Sequence, residues 1–268
     1  MIAVKDNSYK DPFDAPEKFI RYEYRMAVDC ILPRLFDWGV KVRGSRILDL
    51  GCGAGGITLA LAENAANCLG IDLNPSQFVE ASRLATERSV NAEFASANIL
   101  KANELHRILV GRSFQLILLS EVLEHLITCE NVGFILQHLR TYLAPQAHIY
   151  VSFPPWFNPF GGHQAGWPRI RYVPWFHLMP SRIKRFIAPK QIEQYLTFSQ
   201  ELNHLTIGSF EKSAMRAELK IFKRELFHLR PEYYWRYGVP TMRSSIIGKI
   251  PGVREITTTG AFYLLTNR

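Results

Sequence analysis

Ten residues constrain this chain more than any others. Ile47-Leu-Asp-Leu-Gly-Cys-Gly-Ala-Gly-Gly56 runs a short apolar strand straight into Gly51, Gly53, Gly55 and Gly56. A glycine turn of this kind lets the backbone take left-handed conformations and lets a ligand approach the main chain closely. Ile57 to Glu63 follows with the pattern of a helix. A second strand, Asn67-Cys-Leu-Gly-Ile-Asp72, ends on an acid about twenty residues after the turn, where a carboxylate can accept hydrogen bonds from ribose hydroxyls.

The alternation continues. Pro75 opens a helix over Ser76 to Arg88, Ala92 to Ala97 reads as a third strand, and Phe114 to Ser120 as the fourth and most apolar. A helical stretch is expected from Glu121 to Tyr142, then a fifth strand from His148 to Phe153. Strands and helices in this order call for a parallel α/β sheet with right-handed crossovers. Beyond Phe153 the texture changes to Pro, Gly and aromatics, so residues 154–190 read as an ordered insertion. Helices are expected over Gln191 to Leu202 and Ser209 to Leu219, and two last strands over Lys220 to Leu229 and Gly260 to Leu265. Glu17 to Phe36 reads as a helix ahead of the sheet.

Composition excludes several classes. Hydrophobic residues at 47% and charged residues at 21% suit a globular chain and not a disordered one. No apolar run approaches the ~20 residues of a membrane span. Met1 to Pro16 is too polar for a signal peptide, and Cys30, Cys52, Cys68 and Cys129 form no Cys-x-x-Cys pair. A reduced, cytoplasmic protein is the expectation. The net charge of +8 is local: no Asp or Glu occurs between Glu130 and Glu193, a window holding seven basic residues. The rest of the chain is almost neutral.

These motifs together resemble the class I S-adenosylmethionine-dependent methyltransferases. The resemblance rests on Ile47 to Gly56, on Gly70-Ile-Asp-Leu-Asn-Pro75, and on Phe114-Gln-Leu-Ile-Leu-Leu-Ser-Glu-Val-Leu-Glu-His-Leu126. It is close over residues 40–155 and looser over the last two strands. It implies a Rossmann-like, seven-stranded, mostly parallel sheet with helices on both faces and the last strand antiparallel. It implies one methyltransferase domain over 1–268: a helical lid at 1–40 with Tyr9, Tyr22 and Tyr24, a cofactor-binding core at 41–153, an acceptor-side insertion at 154–190, and the remaining elements at 191–268. Asp49, Gly51, Cys52 and Gly53 would flank the methionine moiety of S-adenosylmethionine. Asp72 would hold the ribose and Leu73 would lie against the adenine. Asn98 and Ile99 follow the third strand, where the family often has an acid facing the adenine amine. Ser120 would lie near the transferred methyl.

Glu121, Glu124 and His125 are spaced i, i+3 and i+4, which in a helix puts them on one face. Two carboxylates and an imidazole converging at the end of the fourth strand suit one divalent cation. The arrangement is similar to that of ubiquinone-pathway O-methyltransferases and of small-RNA 2′-O-methyltransferases. In the latter a later His completes a magnesium-type site, and here that residue would be His163. Without a metal, His163 is the expected general base, with Glu124 and His125 beside it. Glu-Val-Leu-Glu-His also serves relatives without a metal, and His163 also reads as a structural histidine of a glycine turn.

Three functional readings remain open from these residues. One is O-methylation of a small hydroxylated molecule, a sugar or a phenol, in a biosynthetic pathway. Another is RNA 2′-O-methylation, with basic residues tracking phosphates and aromatics stacking bases. The third is a non-catalytic S-adenosylmethionine-binding module. The first is preferred because no RNA-recognition module is appended. The acid-free window makes an acceptor with phosphate or carboxylate the expectation, and its Trp and Arg content would also suit a lipid-linked acceptor at a membrane surface.

Overall fold

A computed structural model describes residues 16–126, 128–190 and 192–267. The chain opens on α1 (Pro16–Met26), which runs through a π-turn at Ala27–Ile31 into α2 (Leu32–Asp37). Pro33 explains the wide turn, because it has no N–H to give the carbonyl four residues back. β1 (Arg46–Leu50) then enters the glycine turn and α3 (Gly56–Glu63) leaves it. β2 (Asn67–Asp72) is followed by a tight turn that Asn74 caps by accepting from the Ser76 N–H, with Pro75 behind it. α4 (Val79–Glu87), β3 (Ala92–Ser96), α5 (Ala102–Leu109) and β4 (Phe114–Ser120) complete this half.

The remaining elements are α6 (Cys129–Arg140), β5 (Leu143–Phe153), α7 (Ser181–Ile187), α8 (Ile192–Gln200), α9 (Ile207–Arg216), β6 (Leu219–Leu229), α10 (Glu232–Tyr237), β7 (Met242–Arg243), α11 (Val253–Thr257) and β8 (Gly260–Asn267). Two compact units result: residues 1–118 with 231–241, and residues 119–230 with 242–268. The chain passes from the first to the second inside β4.

In the first unit the strands lie in the order β3-β2-β1-β4, every pair parallel. β1 is buried from Ile47 to Leu50, so its residues read as one apolar run broken only by Asp49. Ile20 of α1, Leu59 of α3, and Phe78, Ala81 and Ala85 around α4 form a core cluster with Cys52 and Ala54 of the glycine turn. In the second unit the order is β5-β8-β6-β7, every pair antiparallel. Phe153 of β5 and Tyr263 of β8 stack there, and Phe210 of α9 packs on both rings. α9 is held by a capping box in which Thr206 and Ser209 satisfy each other's backbone N–H groups.

The α/β class expected from the sequence is what the strands show, with β8 the antiparallel long strand; β7, of two residues, is an addition. Among the described residues no helix is long and apolar enough to cross a membrane. Phe210→Ala empties the space beneath two fully buried rings, and should cost about 3–5 kcal/mol in urea unfolding. A loss below about 1 kcal/mol would show that this unit does not depend on that packing.

Candidate functional site

Gly51, Gly53 and Gly55 all have positive φ, so the turn after β1 takes a path closed to other residues. Its N–H groups find definite partners. Gly51 and Cys52 donate to the Ile71 carbonyl at 2.7 and 3.1 Å, which closes the turn onto β2. Gly53 donates to Asp72 Oδ2 at 2.9 Å, and Asn74 donates to Asp72 Oδ1 at 3.2 Å. Asp49 is buried and accepts from Thr58 Oγ1 at 2.6 Å. Burial pushes its carboxyl up from 3.8 to about 6, Asp72 adding to the rise. Cys52 is buried beside these acids, and its thiol is pushed up chiefly by that burial.

A third carboxylate enters the turn that the sequence reading did not anticipate. Glu23 of α1 accepts from Ala54 N at 3.2 Å and from Gly56 N at 2.9 Å. Its carboxyl is raised well above the usual range, by burial first. The sequence carries a faint signal for it: Ile20, Glu23 and Ala27 share a helix face with Tyr24, which puts an acid within the apolar stripe. Tyr22 and Tyr24 of the expected lid are engaged elsewhere. Tyr22 packs edge-on against Trp235, and Tyr24 donates to Glu63. Tyr9 lies outside the described residues.

The other expected cofactor residues follow the strand ends. Leu73 is largely exposed beside Asp72. The Asn98 side-chain oxygen accepts from Leu100 N at 2.9 Å, while Glu104 takes the Asn98 N–H, so this amide is occupied by its own loop. Ile99 follows it, half-buried. Ser120 Oγ lies 3.1 Å from Ser152 Oγ.

In the second unit the local structure around Glu121 differs from the expected helix. Glu121 has φ 58°, a left-handed conformation, and Leu123–His125 form one 3-10 turn; α6 begins only at Cys129 with Thr128 as its N-cap. The helix over Glu121 to Tyr142 is therefore corrected to a shorter one, because the left-handed Glu121 breaks the spiral before it starts. Glu121 does not share a helical face with Glu124 and His125. Its Oε2 accepts from Arg230 Nη1 at 2.8 Å, a pair with little solvent access on the arginine side. The 3-10 turn is pinned from outside, Asn203 N donating to the Glu124 carbonyl at 2.7 Å.

What the structure does bring together is Glu124, His125 and His163, with one ligand atom of each within 4.8 Å of the others. Glu124 is buried, and among the described residues neither of its carboxylate oxygens has a hydrogen-bond partner. His163 Nε2 lies 3.6 Å from Glu124 Oε1, too far for a hydrogen bond, and the His163 and His125 rings meet edge-on at 5.1 Å. Burial raises the Glu124 carboxyl well above the usual range, and Glu121 adds to it. Burial also lowers His163 to about 3, with His125 and Arg230 adding to the fall. Near neutrality His163 is held neutral, and Glu124 has a higher proton affinity than an ordinary carboxylate.

Glycine chemistry places His163. A Cβ on Gly162 would stand 2.3 Å from the Tyr195 hydroxyl, which donates to the Gly162 carbonyl at 3.1 Å. His163 then turns left-handed, with φ 52°. His177 is buried, with Nε2 2.7 Å from the Trp156 carbonyl. The insertion folds without strands, around Ile170, Phe176, Ala188, Ile192 and Tyr195. Its helix α7 is inverted: Lys184 is 7% exposed and donates to the His177 carbonyl at 2.6 Å, while Ile183 is 48% and Phe186 88% exposed.

Residues 48–149 match the family described as a methyltransferase domain. A ubiquinone biosynthesis O-methyltransferase of Azorhizobium caulinodans is 32% identical over 111 residues, 41% of each chain. An aklanonic acid methyltransferase of a Streptomyces species is 36% identical over 97 residues, 32% of this chain and 43% of that one. Magnesium protoporphyrin IX methyltransferase of Synechocystis, solved with bound S-adenosylhomocysteine, superposes with a TM-score of 0.55 over 97% of this chain and 91% of that one, at 15% identity. An S-adenosylmethionine-dependent methyltransferase of Clostridium acetobutylicum gives 0.57 over 94% and 95%, at 12% identity. Over residues 48–149, then, the chain is similar to a methyltransferase domain, and it shares the fold of solved S-adenosylmethionine-dependent methyltransferases. It spans about two-fifths of the length of the curated relatives it matches. The structural likenesses, at these identities, show the fold alone.

Asp49 yields a prediction for the unliganded methyltransferase domain. Between about pH 4 and 6 the folded protein holds a proton on Asp49 that the unfolded chain has released. The contribution of this group to stability is therefore full below pH 4 and is lost as pH rises through about 6. Asp49→Asn keeps an acceptor for Thr58 but cannot ionise, so it should flatten this slope. It should exceed the wild type above pH 6 by on the order of 3 kcal/mol at most. Urea unfolding at pH 4 and pH 7 checks it, and identical pH slopes for the two proteins would refute it.

Proposed function

We propose that this protein is an S-adenosylmethionine-dependent O-methyltransferase acting on a small hydroxylated metabolite. The observation that carries the reading is the glycine turn flanked by Asp49 and Asp72 within the first unit; the second unit by itself holds the Glu124–His125–His163 cluster. The Gly53 N–H and Asp72 at the strand ends suit the methionine and ribose parts of the cofactor, and the exposed Leu73 suits its adenine. When bound, the cofactor supplies an electrophilic methyl group. The named relatives act in ubiquinone biosynthesis and on aklanonic acid, which supports a small acceptor.

The protein's own contribution is to orient an acceptor hydroxyl and take its proton. His163 is the weaker base of the two candidates, since burial lowers it to about 3, whereas Glu124 is a stronger base than an ordinary carboxylate. Glu124 therefore receives the proton at its carboxylate oxygen, and His163 accepts a hydrogen bond through its neutral nitrogen. Arg230 keeps Glu121 paired, which limits the negative charge beside Glu124.

The same donors fit a divalent ion such as magnesium. Two partnerless, buried carboxylate oxygens and two imidazoles are a mixed oxygen and nitrogen set, with water left to complete a shell. Glu124, His125 and His163 would hold the ion, which would favour the ionised form of Glu124 and neutralise charge at an acceptor oxygen. Glu121, held by Arg230, stands apart from that set.

Glu124→Gln should lower methyl transfer to a panel of hydroxylated metabolites by about 10²–10⁴-fold while S-adenosylhomocysteine still raises the thermal midpoint. Magnesium should raise the midpoint of the wild type and not of the variant if the cluster holds the ion. Unchanged turnover in the variant would overturn the role given to Glu124. A wild type that binds S-adenosylhomocysteine but methylates no acceptor would favour a binding module.

The inverted helix α7 favours an acceptor met at an anionic lipid surface. Water opposes exposure of Phe186 and Ile183, but a bilayer interface accepts them, and Arg182 and Arg185 flank them within the acid-free window. Vesicles containing phosphatidylglycerol should co-sediment the wild type, while phosphatidylcholine vesicles should not. Phe186→Glu should weaken that binding about tenfold. Equal sedimentation of both proteins would refute the lipid surface, and steep salt-dependent binding of RNA instead would favour the RNA reading.

A further inference from the structure

Glu23 is the one buried acid of the glycine turn that the proposed reaction leaves without a task. It comes from α1, about thirty residues ahead of the turn, and the turn is shaped around it. A Cβ on Gly53 would stand 2.3 Å from Glu23 Oε1, and one on Gly56 would stand 2.7 Å from Glu23 Cβ. The two N–H groups of Ala54 and Gly56 take one lone pair on each carboxylate oxygen. Each oxygen keeps a second acceptor position. Asp49 and Asp72 are close enough to raise Glu23's affinity for a proton. Among the described residues, none of these three carboxylates pairs with a lysine or arginine.

Three carboxylates at one turn, two of them buried, amount to a cation site with no cationic side chain in it. Two N–H bonds do not offset the desolvation of Glu23, whose carboxyl remains well above the usual range. A ligand bringing an ammonium group would supply the missing countercharge, and charge-assisted hydrogen bonds of this kind are the strong ones. We infer that Glu23 is a cofactor-binding residue whose carboxylate accepts from the α-ammonium of the cofactor's amino-acid end, held ready for it by the Ala54 and Gly56 N–H groups. The inference rests on the S-adenosylmethionine reading above. It makes α1 part of the binding site and not only a cover over it.

The test is calorimetric, on the full chain. S-adenosylhomocysteine carries the ammonium and no sulfonium, whereas 5′-methylthioadenosine carries neither and lacks the amino-acid end. Glu23→Gln keeps the shape of the side chain and should weaken S-adenosylhomocysteine about 10- to 100-fold, with 5′-methylthioadenosine unchanged within about twofold. Decarboxylated S-adenosylmethionine, which keeps the amine, should weaken by a similar factor. Glu23→Asp, which keeps the charge but withdraws it by one methylene, should give an intermediate loss, and it serves if the glutamine variant does not fold. Equal loss for all ligands would mean that Glu23 only shapes the turn. A gain for S-adenosylhomocysteine would mean that it competes with the ligand's carboxylate for the N–H groups. Either result overturns the inference, as does no change. A wild type that binds none of these ligands would instead overturn the S-adenosylmethionine reading itself.

Discussion

Desolvated negative charge is the constraint on which the first unit depends. Asp49 interrupts an otherwise apolar buried strand, and Glu23 reaches the same turn from α1. Among the described residues neither carboxylate has a countercharge, and burial raises both, so the fold holds them at a cost. The partial remedies are local: a hydroxyl from Thr58 and backbone N–H groups from Ala54 and Gly56. A site that is costly when empty is a site that gains from a cationic ligand, and stability and binding are linked through the same groups.

The second unit repeats the theme with a different chemistry. The Glu124 carboxylate is buried without a hydrogen bond among the described residues, and its neighbour His163 is held neutral. Left-handed backbone at both Glu121 and His163 puts these side chains where regular helix would not. Such conformations cost about 1–3 kcal/mol each for non-glycine residues and persist where the surroundings enforce them. Here the enforcing contacts are visible: Asn203 on the Glu124 carbonyl, Tyr195 on the Gly162 carbonyl, and Arg230 on Glu121. The unsatisfied carboxylate is thus held in place by backbone contacts that do not satisfy it, leaving its oxygens for a proton or an ion.

Much of the first unit was legible because its signals are local. A strand that is apolar from Ile47 to Leu50 except at Asp49, glycines at fixed offsets and an acid at Asp72 need no distant partner to be recognised. The π-turn before Pro33, the short α10 and the two-residue β7 carry no periodic pattern and were not legible. The helix expected from Glu121 fails for a related reason. Its spacing matches one helical face, yet one left-handed residue is enough to separate Glu121 from Glu124 and send it to Arg230. Asn98 was placed by position along the chain, but the Leu100 N–H that occupies its oxygen belongs to a loop whose shape the residues alone do not declare.

By itself, the sequence determined the α/β class, the glycine turn and the resemblance to methyltransferases, because periodicity and turn chemistry act within a few residues. It also located the positive charge in one acid-free window. Only the tertiary structure decided which polar groups meet. Glu23 joins Asp49 and Asp72 across about thirty residues, His163 reaches Glu124 across about forty, and Arg230 claims Glu121 across more than a hundred. The same folding turned Lys184 inward and Phe186 outward, against the polarity of either residue. Pairings at such separations depend on where whole elements pack, and the cost of an unpaired buried charge depends on everything packed around it.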